Sequence, residues 1–306
     1  MHSNSDIMLE KGTLWESMVR ATEHALRIGA QLPLPTHYEF IEDRGVHFVV
    51  RILKALERKD EEKKRQQKRA GYGNPANPFL PYDKSLFVAE ISQTHVALLN
   101  KFNVMDHHLL IVTRHFEHQS MLLTIQDFTA LWACMNEYRG LGFYNGGEAA
   151  GASQEHKHLQ MVPLPIAPEG PEVPVEILFS DAVFEDIFGT IPHFPFQHVF
   201  VRIGEEAESP PSDKAQRIFQ RYSRMFQRLG LETPSKDIRK QQSVPYCLLV
   251  TREWMLLVPR SVECIDSISV NALGFAGSFF VRSTQQKDYL KKIGPMNALE
   301  SVAMAV

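Results

Sequence analysis

The sequence predicts an α+β fold: an antiparallel sheet with packed helices, in two related half-domains of which the second is degenerate. Three observations point to it. Short apolar runs between turn-like pieces, "LFVAEI", "HVALLNKF" and "HHLLIVTRHF", have strand character. Longer stretches carry apolar residues at helical spacing. And "YCLLVTREWMLLVPRS" echoes "HVALLNKFNVMDHHLLIVTRHF", each being two apolar strands whose second ends in Val-x-Arg. The expected division is 1–165, carrying a His-x-His-x-Gln strand, and 166–306, a degenerate repeat that completes one compact molecule.

The elements follow in order. "TLWESMVRATEHALRIGA" has Thr13 and Glu16 spaced as a capping box, then Leu14, Trp15, Met18, Thr22, Ala25 and Leu26 as an apolar stripe for the core. After "FVVRIL" the chain turns strongly charged, with seven basic and four acidic residues from Glu57 to Arg69. Such a run reads either as a solvated loop or as a basic flap over a polyphosphate, with Lys59, Lys68 and Arg69 as the candidates. "NPANPFLP" is too rich in proline to be helical. "LTIQDFTALWACMNEYRGLGF" starts a helix at Thr124 and Asp127, lines one face with Phe128, Leu131, Trp132 and Met135, and is expected to end at Gly140 and Gly142. Residues 165–213 are proline-rich, acidic and weakly patterned, and read as connector. "AQRIFQRYSRMFQRLGL" is an amphipathic helix, with Ile218, Tyr222, Met225, Phe226 and Leu229 inward and Arg217, Arg221, Arg224 and Arg228 outward. "ISVNALGFAGSFFV" supplies an Asn-x-x-Gly turn, much as "YNGGEAAG" does.

Composition bounds the function. The 306 residues, 44% hydrophobic and 23% charged, suit a globular enzyme or binding protein. A net charge of −3 excludes a broadly basic nucleic-acid binder but leaves room for a local phosphate pocket. Cys134, Cys247 and Cys264 form neither a CxxC nor a ladder, so reduced thiols are expected, with neither a disulfide scaffold nor a metal site. There is no basic-then-apolar leader, and no apolar stretch of the ~20 residues a membrane helix needs. A cytoplasmic protein without membrane or nucleic-acid partners is the expectation.

The chemistry concentrates in "NGGEAAGASQEHKHLQMVPLP". In a strand, residues two apart share a face, so His156, His158 and Gln160 project side by side, with Lys157, Leu159 and Met161 on the other face. Lys157 then needs a partner if that face is a core. A neutral imidazole has one nitrogen lone pair near neutral pH and can attack phosphorus without a separate base. Phosphoanhydrides suit it because their leaving groups depart as stable anions. The glycine-rich stretch upstream offers backbone N–H groups and the Ser153 hydroxyl to phosphate oxygens. Two histidines at this spacing also fit a surface strand or a metal pair. The whole string, with its final glutamine and proline, favours the nucleophile.

"YNGGEAAGASQEHKHLQMVPLP" resembles the active-site segment of the histidine-triad superfamily, in the branch where the last histidine of the triad is glutamine. That branch holds galactose-1-phosphate uridylyltransferase and the diadenosine tetraphosphate phosphorylases, also called ATP adenylyltransferases. "NPFLPYD", "LLNKFNVMDHHLLIVTRHFEHQ", "REWMLLVPRS" and "VNALGFAG" are similar to the second family, from about residue 40 onward. The resemblance implies a histidine-triad-like fold and cleavage of diadenosine tetraphosphate by phosphate to ATP and ADP. It puts the adenylyl group on His158, an amide contact to phosphate on Gln160, and an orienting or charge-stabilising role on His156. It places Asn145, Gly147, Ser153 and Gln154 around the α-phosphate, Asn100 near the ribose, and Lys59 and Lys68 on the distal phosphates. Asn271, Gly274 and Lys287 are further candidates in the second half. Mg²⁺ would ride on the substrate. His115 stands where the family has an acidic residue and is expected at the surface. A sugar-phosphate uridylyltransferase, a dinucleoside polyphosphate hydrolase and a nucleotide sensor without turnover are the alternatives.

Overall fold

The computed structural model describes residues 7–53, 77–204, 211–234 and 240–306. Helix α1 (Leu14–Arg27) leads into the strands β1 (Thr36–Asp43) and β2 (Val46–Leu53). Then come β3 (Phe87–Glu90), β4 (His95–Leu99), β5 (Leu109–Thr113), helix α2 (Ile125–Met135), β6 (Gly140–Gly146) and β7 (His158–Pro163). The strands β8 (Val183–Glu185), β9 (Phe188–Thr190) and β10 (Val199–Arg202) precede helix α3 (Pro211–Arg228), β11 (Tyr246–Val250) and β12 (Trp254–Pro259). A small ribbon of β13 (Cys264–Ile265) and β14 (Ile268–Ser269), helix α4 (Ala272–Phe275), β15 (Ser278–Val281), α5 (Thr284–Ile293) and α6 (Pro295–Val302) complete the chain.

Ten strands form one antiparallel sheet in the order β3-β4-β5-β7-β6-β11-β12-β10-β9-β8. Read inward from either edge, the two five-stranded halves have the same connectivity: a three-strand meander, a helix, and a hairpin whose first strand lies at the centre. The halves meet at β6 and β11, where Tyr144 pairs with Leu248 and the register runs symmetrically to Gly142–Val250 and Gly146–Tyr246. The duplication is therefore present, but the strand correspondence differs from the one expected. The β11–β12 hairpin occupies the place of β6–β7, not of β4–β5. About the Tyr144–Leu248 centre Phe143, paired with Gln160, matches Cys247, paired with Val258, so Leu256 and Val258 stand where His158 and Gln160 do. The hairpin connection is residues 147–157 in the first half and only 251–253 in the second. The second half thus lacks room for a glycine-rich loop as well as the histidines.

Period-two alternation gives the sheet two apolar faces. One, with Leu109, Ile111, Leu159, Met161, Leu248 and Leu257, packs under α1, α2 and α3. The other, with Phe143, Val162, Leu249, Leu256 and Phe200, is covered by β1, β2, β15, the 3₁₀ turn Pro174–Asp181 and α4 to α6. Strand β15 runs parallel to β2, so the N-terminal hairpin sits in the C-terminal layer. On that second face, the described residues over the outer strands β4 and β5 form a small cluster of Val96, Leu98, Leu110 and Val112 under Phe79. His158 pairs with Val112 and Gln160 with Leu110, so both project from the same face as that cluster.

Several local expectations change. The Thr13 hydroxyl bonds the Glu10 carbonyl (2.7 Å) instead of capping α1, and Glu137 accepts from the N–H of Gly12 (3.0 Å) and Leu14 (3.2 Å). A distant carboxylate has taken over the capping role, as tertiary contacts can. Trp15 and Leu26 are exposed, so the core stripe of α1 narrows to Leu14, Met18 and Ala25. The Thr124–Asp127 capping box does form, but α2 ends at Met135. Gly140 and Gly142 lie inside β6, where a Cβ on Gly142 would stand 2.8 Å from Leu131; the glycine lets α2 press onto the sheet. The connector expected over 165–213 supplies β8 to β10, whose short strands leave little periodicity to read.

Candidate active site

Strand β7 starts at His158, next to β6 and one strand out from the sheet's centre of symmetry, and its pairing to β5 and β6 leaves the His158 and Gln160 side chains on one face. The His158 Nδ1–H donates to the carbonyl of His156 at 2.8 Å. That bond selects the tautomer in which Nε2 carries the lone pair. The ring is buried, with Phe79 tilted against it at 5.3 Å. Burial lowers its pKa to about 4, against which the His156 carbonyl gives partial support, so the ring is neutral at physiological pH.

His156 has both ring nitrogens engaged. Asn77 Nδ2 donates to Nδ1 at 2.9 Å, and Nε2–H donates to the Thr113 carbonyl at 2.8 Å. Phe79 and Phe116 stand edge-on to the ring at 5.6 and 5.5 Å. Burial pushes its pKa down. A neutral ring with both nitrogens occupied fits orientation better than stabilisation of phosphate charge. What His156 delivers to its neighbour is its backbone carbonyl.

Lys157 does face the other side, and it has the partners that position demanded. Its ammonium, wholly buried, bonds Asp127 Oδ2 at 2.6 Å, the Leu122 carbonyl at 3.2 Å and Glu117 at 3.4 Å. Asp127 also accepts from His95 Nε2 at 3.0 Å. Burial alone would raise the Asp127 pKa, yet Lys157 and His95 hold it well below the ordinary carboxylate range. Gln119 stitches the start of β7 from the side: its Oε1 accepts from His158 N (2.8 Å), and its Nε2 donates to the carbonyls of Asn145 (2.9 Å) and His158 (3.1 Å).

Gln160 accepts a hydrogen bond from His108 at 3.0 Å, and Asn100 bonds the far side of the same imidazole at 3.2 Å. Asn100 is thus brought to the histidine strand, through His108. The glycine-rich loop leaves β6 at Gly147 (φ +84°) and turns again at Gly151 (φ +88°), backbone that L side chains rarely adopt. A Cβ on Gly151 would lie 2.9 Å from Asn271, which caps α4 by accepting from Leu273 N at 3.0 Å. Asn145 is buried and accepts from Ala272 N at 2.8 Å, so it ties α4 to the end of β6. Ser153 is exposed and Gln154 half-buried, and neither side chain has a hydrogen-bond partner among the described residues. His115 is exposed, as expected.

Two candidates lie elsewhere. Gly274 is buried in the core, its Cα facing Val270 and Leu299, which makes it a packing position. Lys287 binds both oxygens of Glu39 at 3.0 Å, fastening α5 to β1. Lys59, Lys68 and Arg69 fall outside the described residues. The sequence reading missed His108, Gln119 and Asn77, and placed Asp127 only at the start of a helix. His108 carried a usable signal, because the alternation His108, Leu110, Val112 puts it on the Gln160 face. Asn77 and Gln119 sit in irregular segments, where no period aims a side chain.

Comparison with known proteins adds the family. Residues 4–181 match the family model for the Ap4A phosphorylase N-terminal domain, and residues 192–305 that for the ATP adenylyltransferase C-terminal domain. The chain belongs to the Ap4A phosphorylase family. Among relatives of this family, Protein APA1 of Saccharomyces cerevisiae is 30% identical over 217 residues, an alignment spanning 63% of each chain. Diadenosine 5',5'''-P1,P4-tetraphosphate phosphorylase 2 of the same yeast is 26% identical over 70% of this chain and 71% of its own. The crystal structure of yeast Ap4A phosphorylase Apa2 superposes with a TM-score of 0.76 at 21% identity, covering 97% of this chain and 96% of that one. Its complex with Ap4A superposes with a TM-score of 0.75. The ten-stranded sheet is thus a fold that Ap4A phosphorylases adopt.

Proposed function

We propose that this chain is a nucleotidyltransferase that cleaves diadenosine tetraphosphate with inorganic phosphate, giving ATP and ADP. The observation that carries this reading is the hydrogen bond from His158 Nδ1 to the His156 carbonyl, which leaves the lone pair on Nε2. Nε2 attacks the α-phosphorus of one adenylate. A bond forms from nitrogen to phosphorus, the anhydride P–O bond breaks, and ATP departs with the electron pair. The ring then holds the adenylyl group and a proton on Nδ1, and the carbonyl facing that proton stabilises the positive charge. Phosphate attacks next, forming ADP and returning the pair to Nε2. A nitrogen of low basicity leaves readily in this second step, which suits a ring whose pKa burial has lowered to about 4.

Gln160, an amide without an acidic proton, donates hydrogen bonds to a non-bridging oxygen but cannot act as a general acid. A departing nucleotide is anionic and needs no proton, whereas water as acceptor would benefit from one. The glutamine therefore favours transfer to phosphate. Ser153, Gln154 and the backbone of the glycine-rich loop supply donors to the phosphate oxygens. Mg²⁺ belongs to this reading as part of the substrate, bound to tetraphosphate oxygens.

The test is product analysis with and without phosphate. Rapid ATP and ADP formation that requires phosphate is expected, together with an acid-labile adenylyl group on His158 when phosphate is withheld. Release of AMP at the same rate with or without phosphate would make the chain a hydrolase, and transfer between UDP-sugars a uridylyltransferase. Replacing His158 with alanine should abolish turnover while the protein stays folded.

A further inference from the structure

A carboxamide turned by half a rotation exchanges two donors for an acceptor. Toward a phosphoryl oxygen the two orientations of Gln160 have opposite sign, and the structure selects one. The chain of donors begins at a group that can only donate: the Phe102 backbone N–H, bonded to Asn100 Oδ1 at 3.1 Å. Asn100 Nδ2 therefore points the other way and donates to His108 Nδ1 at 3.2 Å. With Nδ1 as acceptor, neutral His108 carries its proton on Nε2, which donates to Gln160 Oε1 at 3.0 Å. Gln160 is left with its amide nitrogen, which no described residue engages. The relay is rigidly mounted. The Asn100 N–H donates to the His108 carbonyl at 3.0 Å, Gln31 Nε2 donates to the Asn100 carbonyl at 3.1 Å, and Phe143 lies 5.8 Å from the buried His108 ring.

We propose that Asn100 and His108 are positioning residues, a hydrogen-bond relay that locks Gln160 with its N–H donors, and never its oxygen, toward the transferring phosphoryl group. The inference rests on the nucleotidyl-transfer reading and assigns Asn100 work other than the ribose contact that the family resemblance implies. Its consequence is an unusual order of severity. Truncating His108 frees the amide, which still presents donors part of the time; an evenly split population costs only about twofold, and lost rigidity extends this to about tenfold. Replacing Asn100 by aspartate is isosteric, yet it reverses the relay. A carboxylate must accept from His108 Nδ1–H, so a neutral ring offers Gln160 a lone pair, and the carboxamide turns its oxygen to the phosphate. Losing one such donor costs about 10²–10³ in kcat.

The experiment measures kcat and KM for diadenosine tetraphosphate phosphorolysis against pH in wild type, Asn100→Asp and His108→Ala. Asn100→Asp should lose about 100-fold in kcat at alkaline pH, by the loss of that donor. It should recover as the pH falls, because a doubly protonated His108 donates both to the introduced carboxylate and to Gln160. His108→Ala should stay within about tenfold of wild type, with little pH dependence of the loss. In parallel, ¹⁵N-histidine NMR of the wild type should show His108 protonated on Nε2, and Asn100→Asp should move the proton to Nδ1 at high pH. An Nδ1–H tautomer in the wild type overturns the relay, as does an Asn100→Asp activity unchanged at all pH or reduced equally at all pH. The tautomer measurement needs no turnover. Should the wild type fail to form ATP, the functional reading falls while the relay is still decided by NMR.

Discussion

Asp127→Ala removes the acceptor that holds Lys157, the lysine between His156 and His158. In the wild type Asp127 accepts from Lys157 Nζ at 2.6 Å, His95 Nε2 at 3.0 Å and the Thr124 N–H at 2.6 Å, all out of water. Without it the buried ammonium keeps, among the described residues, the Leu122 carbonyl at 3.2 Å and Glu117 at 3.4 Å. Removing one partner of a buried ion pair costs about 3–5 kcal/mol, and losing the Asp127 half of the capping box, with the Thr124 cap retained, adds about 1 kcal/mol. The variant should therefore unfold about 4–6 kcal/mol more easily, which lowers Tm by roughly 6–9 °C in a chain of this length. Urea unfolding followed by tryptophan fluorescence is a direct assay, since Trp132 is buried in α2 beyond Asp127. Removing both charges, with Asp127→Leu and Lys157→Met together, should recover about 2 kcal/mol or more relative to the single change, because no ion is then stranded. A loss under about 1 kcal/mol in Asp127→Ala, or a double variant as costly as the sum of its parts, would refute the buried-pair account.

The acid limb of phosphorolysis should lie near pH 4, well below an ordinary histidine, because burial lowers the His158 pKa to about 4. The sign for stability is the same: the folded pKa lies below the unfolded one, so stability is retained above about pH 6.5 and declines as pH falls toward 4. Kinetic and unfolding profiles over that window check both; an acid limb at about pH 6.5, the ordinary histidine value, would contradict the buried neutral ring. Gly151→Ala should destabilise by more than about 1 kcal/mol, since it combines φ +88° with a Cβ 2.9 Å from the Asn271 backbone. Calorimetry reads this, and an unchanged Tm would show that the loop relaxes freely.

Much of the fold was legible where a period ran long enough to be read. The α3 stripe of Ile218, Tyr222, Met225 and Phe226 is buried as its spacing requires. The Thr124–Asp127 box forms because both of its groups are local. Thr13 and Glu16 have the same spacing and form no box: the Thr13 N–H and hydroxyl both turn to the Glu10 carbonyl and Glu16 pairs with Arg20, while Glu137, more than a hundred residues away, accepts from Gly12 and Leu14. The repeat was visible in the sequence, yet its strands were matched wrongly. Apolar strand pairs resemble one another, and only the hydrogen-bond register about Tyr144 and Leu248 distinguishes β6–β7 from β4–β5 as the partner of β11–β12.

By itself the sequence determined the face that His158 and Gln160 share, the glycine-rich approach to it, and the need of Lys157 for a partner on the opposite side. Those are consequences of a strand's period of two, which acts within a few residues. The tertiary structure alone decided which groups turn these side chains into a directed site. Asn77, Thr113, Gln119, His108, Asn100 and Asp127 reach the strand from other elements, and hydrogen bonding assigns a proton only once donor and acceptor are within about 3 Å. Lone pairs and amide orientations belong to that scale. The residues that could do the chemistry were therefore visible in one dimension, and their protonation and direction only in three.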